Sequence, residues 1–351
     1  MDVAELSTVL VWGATTAYAI ALVAFSLDLA RRADVLGQKR VAALAAASAD
    51  GAADGAAEGA AEGAAVEGAG LVRVGRAGRV TLDRPGTATG PGGYAPGRAL
   101  AIAMSTTTLG FLLHVVGTVL RGVAAGRVPW ANMYEFALVG SLAAVATFLV
   151  LCRRHDVRFL GSLVLGLVVV ALGLGLTAFY VPAAGVEPAL QSYWLVIHVS
   201  IATIASGMFA VSAAASVLQL LKDSWENSSP ALVHPRWALL ESLPSARALE
   251  ALAFRITAVG FVLWTFTVMA GAVWAEHAWG RYWGWDPKEV WSFVVWVVYA
   301  AYLHARTTRG WSGRRASWFV LAGFATVVFN FTGVNLLLHG RHSYSGLDTG
   351  A

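Results

Sequence analysis

Seven of the chain's 14 tryptophans fall between Trp264 and Trp296. The densest part is Trp279-Gly280-Arg281-Tyr282-Trp283-Gly284-Trp285-Asp286-Pro287-Lys288-Glu289. Trp279 and Trp283 stand four residues apart, which on a helix would stack two indoles on one face and, with Trp285, offer a flat aromatic shelf. Asp286 has the character of an N-cap, Pro287 suits the first helical position and Glu289 completes a capping box, so a new helix is expected to start here. Trp and Tyr also gather at membrane surfaces as an interfacial belt, but a belt requires no fixed order of Gly, Trp and Asp. The second set of chemically capable residues is the eight histidines, whose neutral imidazoles are good metal ligands at physiological pH.

The elements that must position these residues are membrane helices. Of 351 residues, 57% are hydrophobic and 13% charged, and the mean hydropathy is +0.63, far from a soluble globular composition. Eight apolar runs approach the ~20 residues needed to cross a bilayer: 8–30, 100–121, 132–152, 159–180, 192–221, 252–274, 288–305 and 316–338. The fold class expected is therefore all-α, a polytopic transmembrane bundle of about eight helices. The first run lacks a basic leader and ends in Asp28-Leu29-Ala30-Arg31-Arg32, as a retained anchor would. Residues 1–30 are read as that anchor and 31–98 as a disordered Ala- and Gly-rich cytoplasmic linker, since Ala45–Gly70 has almost no large side chains to bury. Residues 99–351 form the functional transmembrane domain, with a Trp-rich external segment over 274–291.

Lys and Arg set the orientation. Placing both termini outside the cytoplasm puts Arg31, Arg32, Lys39, Arg40, Arg153, Arg154, Arg158, Lys222, Arg236, Arg247, Arg306, Arg309, Arg314 and Arg315 inside, as the positive-inside rule requires. The net charge of +4 then reflects inner-loop anchoring, and nothing in it points to nucleic acid. Cys152 is the single cysteine, so the chain has no internal disulfide and no Cys-x-x-Cys redox pair. Glu135, in Asn132-Met133-Tyr134-Glu135-Phe136 at the outer start of the third run, is costly in a membrane unless it is interfacial or paired.

This topology sorts the histidines by depth. His198, just inside the fifth run, and His342, beyond the eighth, arrive at the level of the Trp stretch, as do His277 and His339. His304 lies ~24 Å below the start of the seventh run, at ~1.5 Å per residue from Lys288, so it cannot serve the same metal. His114 lies within the second run, while His155 and His234 fall in inner loops.

Trp279-Gly280-x-x-Trp283-x-Trp285-Asp286, together with Asn132-Met133-Tyr134-Glu135-Phe136, resembles the signatures of the haem-handling proteins of cytochrome c maturation, in particular the CcsA-type (CcsB- or ResC-like) subunit of the two-component cytochrome c synthase. The likeness spans roughly Leu100 to Tyr344. It implies haem b held on the shelf of Trp279, Trp283, Trp285 and Asp286, with His198 and His342 as axial ligands. Two imidazoles facing each other across a porphyrin would complete six-coordinate iron. Arg281, Lys288, Arg341 or the helix start at Pro287 could meet the propionates. His304 is implied as a separate ligand where haem enters, with its second ligand on a ResB-like membrane partner that has a large external domain; His114 competes for that role. The expected function is to move haem across the plasma membrane and present it outside for thioether attachment to the Cys-x-x-Cys-His motif of apocytochrome c. As a synthase (haem lyase) subunit, the chain would then have no catalytic residue separable from haem positioning. Rival readings are a haem exporter serving a separate chaperone and a secondary transporter whose tryptophans are only a belt.

Overall fold

The computed structural model describes residues 1–62, 97–185, 191–227, 235–338 and 340–342. Among these the chain is helical, with α1 Val3–Glu62, α2 Arg98–Ala125, α3 Met133–Arg154, α4 Gly161–Thr177, α5 Tyr193–Glu226, α6 Ala246–Trp279, α7 Pro287–Thr308, α8 Arg314–Phe331 and the short α9 Gly333–Leu337. Seven stretches of helix are long and apolar enough to cross a membrane, and the chain is a multi-pass membrane protein. The seventh expected run, 288–305, forms a 22-residue helix, α7. It lies outside that set because Lys288 and Glu289 in its first turn, His304 and Arg306 toward its end and its Trp and Tyr content lower its mean hydropathy. Its core contacts are nevertheless those of a bundle member, with Val295, Tyr299 and Tyr302 buried.

Two departures from the sequence reading concern helix ends. Helix α1 does not stop near Ala30 but continues to Glu62, through a segment rich in alanine, the residue of highest intrinsic helix propensity. The remainder of the expected linker, 63–96, lies outside the described residues. Helix α6 runs past 274 to Trp279 and so absorbs the first tryptophan of the dense stretch.

Helix α1 packs along α2, α5 along α6, α3 against both α4 and α5, and α8 against α5 and α7. The largest apolar core joins α1, α3, α4 and α5 through Tyr18, Phe25, Leu138, Phe148, Leu165 and Val211. A second core, Phe209, Trp264, Val295, Tyr299 and Val327, lies between α5, α6, α7 and α8, where the rings of Phe209 and Tyr299 stack at 3.9 Å and 10°.

Charge collects at the two ends of the bundle. At one end Glu250 forms an ion pair with Arg306 at 2.9 Å and accepts from the Gly313 amide at 2.9 Å, and Lys222 donates to the Leu240 carbonyl at 2.7 Å. At the other, Glu135 is fully buried and accepts from Arg121 Nε at 2.9 Å, Arg127 Nη1 at 2.7 Å and the Ala131 amide at 2.9 Å. Asn132 caps α3 on the Glu135 amide, and Arg121 also donates to the Val181 carbonyl at 2.7 Å. The partner that the sequence required for Glu135 is therefore a pair of guanidiniums, which fasten the end of α2, the 126–132 turn and the segment after α4 to the start of α3.

Removing that carboxylate leaves Arg121, 1% exposed, without a counter-charge. A Glu135→Gln variant should lose about 3–5 kcal/mol, the cost of breaking a buried ion pair, seen as a fall in thermal unfolding midpoint of purified protein. An unchanged midpoint would mean that Val181 and its neighbours suffice for the two arginines.

Candidate functional site

At the same end as Glu135, helices α3, α5, α6, α7 and α8 surround an open cavity of about 170 Å³. Trp130, Met133 and Phe136 supply one wall, Trp264, Gly271 and Trp274 of α6 another, and Trp283, Lys288 and Asn330 complete it. His198 and His342 both line it.

Each of these histidines is held by one ring nitrogen. His198 Nδ1 lies 2.8 Å from the Thr267 carbonyl, and a carbonyl only accepts, so the proton resides on Nδ1 and the lone pair on Nε2. His342 Nδ1 lies 2.7 Å from Asp286 Oδ2. Burial works against the Asp286 charge, but the hydrogen bond from His342 and those from the amides of Arg341 and Lys288 outweigh it and hold the carboxyl at about 2. That carboxylate also only accepts, so His342 has the same tautomer. Fixing Nδ1–H against an oxygen and leaving Nε2 free is how metal-ligating imidazoles are oriented. Both rings rest on one indole: Trp274 stacks on His198 at 6.3 Å and 8°, and meets His342 edge-on at 5.5 Å.

Local sequence explains these positions. Gly271 is required by contact, because a Cβ there would fall 2.7 Å from His198 Cε1. Asp286 caps α7 with Pro287 at the start and Glu289 closing the capping box, and its Oδ1 accepts the Arg341 amide at 2.6 Å. The capping expected from the sequence is thus present, and the same carboxylate seats the turn that carries His342.

The aromatic shelf is built differently from the expectation. Trp279 and Trp283 do not stack at helical spacing, because α6 ends at Trp279 with Gly280 in the left-handed region at φ 69°, a conformation that favours glycine. Trp283 lines the cavity from the following turn. Trp279 stands behind His342, edge-on at 4.8 Å, and is not on the wall. Trp285 has φ 57°, is 74% exposed and reaches the site only by its edge contact with Trp283 at 5.9 Å. His304 is exposed on α7 near the opposite end, so it does not join the other two histidines. His277 is exposed and pairs with Glu276 at 3.2 Å. His114 is buried against Tyr18 OH at 3.3 Å, away from the cavity; His339 lies outside the described residues.

Trp274 was missed, although a signal existed: Trp264, Thr267, Gly271 and Trp274 recur every three or four residues and form one face of α6. The cavity also contains buried polar atoms with no partner among the described residues, namely Thr267 Oγ1, Glu289 Oε1 and Asn330 Oδ1, as a site built to receive a ligand would.

These features define a polytopic helical membrane protein with a Trp-walled cavity that presents two free imidazole nitrogens. The family model described as cytochrome C assembly protein matches residues 130–342, a span holding every residue of the cavity wall, and the chain belongs to that family. It is 36% identical over 257 residues to the cytochrome c biogenesis protein CcsA of Synechococcus sp. (strain CC9902), covering 66% of this chain and 83% of that one. With the CcsA protein of Chlamydomonas reinhardtii it shares 33% over 255 residues, 70% and 69% of the two chains. The solved structure of cytochrome c heme lyase CcmF aligns with TM-score 0.58 at 16% identity, over 94% of this chain and 47% of that one, a likeness of fold.

The depressed Asp286 carboxyl gives a pH prediction. Its stabilising contribution is complete above the ordinary carboxyl value of 3.8 and is lost as pH falls from there toward about 2. Binding at the cavity should therefore be insensitive to this group from neutrality to about pH 5 and weaken below, whereas Asp286→Asn should be weak across the range. An acid titration of ligand binding checks this; the same acid limb in both proteins would assign the titration elsewhere.

Proposed function

We propose that this chain handles haem b during cytochrome c maturation, holding it in the Trp-walled cavity between His198 and His342 and presenting it for covalent attachment to apocytochrome c. The observation that carries the reading is the matched pair of imidazoles, each with Nδ1 tied to an oxygen and Nε2 left free on one cavity. Family membership and the CcsA relatives support the maturation role. Trp283 and Trp274 supply apolar contact for the macrocycle, while Trp279 and Asp286 brace His342, and Trp285 braces Trp283 from outside.

The attachment adds each of two substrate thiols across a vinyl group, forming a C–S bond and leaving the thiol hydrogen on the other vinyl carbon. No side chain of this protein need be consumed, and its contribution is to fix the vinyl groups where the thiols arrive, which acts through proximity and orientation. Cys152 lies at the end of α3 opposite the Glu135 level and takes no part. The excess of Lys and Arg at the His304 end supports a plasma-membrane orientation with the cavity outside. His304 is exposed on α7, and an imidazole left bare on the surface of a membrane bundle is costly unless it is partnered; this supports a ResB-like partner there that supplies the second ligand of an entry site.

His198→Gly or His342→Gly should lower haem affinity by about ten-fold or more and convert the low-spin absorption spectrum to high-spin, and added imidazole should restore both. Full haem content and an unchanged spectrum in both variants would reject the axial pair. His304→Gln should lower haem content in cells while the purified protein still binds haem added in solution; wild-type content and cytochrome yield would make His304 a packing residue.

A further inference from the structure

We propose that Lys288 is the carboxylate-binding residue of the cavity and that it fixes which edge of the bound macrocycle faces inward. The inference rests on the reading above that the cavity holds haem, and adds how the ring is oriented in its plane.

Lys288 is the one Lys or Arg among the described residues of the wall. Arg281 and Arg341, the other cations near the Trp stretch, do not line it: Arg341 lies over Trp279 at 6.0 Å, and the Arg281 guanidinium covers Gly284. The Lys288 ammonium donates to the Asn330 carbonyl at 2.7 Å and to Asn335 Oδ1 at 3.1 Å. Both oxygens are neutral, and an ammonium carries three N–H donors. Asp286, two residues before it, is already committed to His342 and the Arg341 amide. Glu289, the single carboxylate among the described residues of the wall, has Oε2 turned into the capping turn by the Gly284 and Asp286 amides, while its Oε1 has no partner among them.

A cation drawn into an apolar cavity, bonded only to neutral oxygens and with a donor to spare, is stabilised by an anionic ligand. The two asparagines hold the Nζ in place, so little side-chain freedom is lost when the ligand arrives. Haem has its two carboxylates on one half of the ring and its two vinyls on the other. Engaging a carboxylate at the start of α7 therefore leaves the vinyl half turned away from Lys288, free for the incoming thiols. The imidazoles set the plane of the iron, and Lys288 sets the rotation of the ring within it.

The test uses the purified full chain in detergent at neutral pH, titrated with haemin and with haemin dimethyl ester and followed by absorbance. Wild type should bind haemin at least about ten-fold more tightly than the ester, as expected of a charge-assisted hydrogen bond. Lys288→Gln, which keeps a donor and loses the charge, should bind the two alike, and Lys288→Arg should keep the preference. Equal binding of both compounds by wild type, or an undiminished preference in Lys288→Gln, overturns the proposal. Should Lys288→Gln fail to fold, the wild-type comparison decides alone. The spectra separate the two readings: a high-spin wild type that still prefers haemin rejects the axial pair but leaves Lys288 standing, while a low-spin wild type without preference does the reverse.

Discussion

The Asp286 carboxylate is the contact on which the rest of the site depends. One oxygen accepts the Arg341 amide and the other accepts His342 Nδ1, while the same side chain caps α7 on the Lys288 amide. A helix start, the return of the chain after α9 and the orientation of an imidazole are thereby fixed by one residue. Exposed N–H groups at a helix N-terminus favour negative charge, so this is the place in the bundle where a buried carboxylate is least costly. Once Asp286 is ionised there, the His342 proton has nowhere better to be than Nδ1. The free lone pair on the cavity side follows from helix capping.

Glu135 performs the corresponding task for the opposite wall. It too sits in the first turn of a helix, α3, and it gathers Arg121, Arg127 and the Ala131 amide, so that Trp130, Asn132 and Met133 present a fixed surface. The two carboxylates differ in what they hold. Glu135 neutralises guanidiniums and is closed off from the cavity, whereas Asp286 hands its charge on to an imidazole that lines it. Between them, α5 and α6 are pressed together at Gly271, which admits the His198 ring, and both imidazoles come to rest on Trp274.

Much of this was legible in the sequence, and what was not has definite causes. The capping box at Asp286, the helical membrane class, and the shared level of His198 and His342 depend on local pattern and charge bias, which sequence carries directly. Trp279 does not stack on Trp283, as helical spacing predicts, because Gly280 ends α6 between them. Trp285 matches the motif as well as Trp283 does, yet its positive φ turns it outward, and no spacing rule distinguishes the two. Trp274 sits inside a membrane helix, where an indole reads as lipid or core until the partner helices are known. The backbone from Ala30 to Glu62 is helical where a linker is expected, because small side chains give the sequence no core pattern while alanine favours the helix.

The two imidazoles, alike in tautomer, are unlike in electronic support. His342 donates to an ionised carboxylate and His198 to a neutral peptide carbonyl. A carboxylate behind the ring raises the basicity of the free nitrogen more than an amide oxygen does, so His342 Nε2 is the stronger donor of the pair. Mechanical support runs the other way. His198 is carried in the second turn of a 34-residue helix and braced by Gly271 and Trp274, whereas His342 rides on a turn tied down through Asp286. The stronger donor is thus on the more adaptable segment and the weaker donor on the more rigid one. A ligand held between them could be bound firmly on one axis and remain exchangeable on the other, which suits the role proposed above.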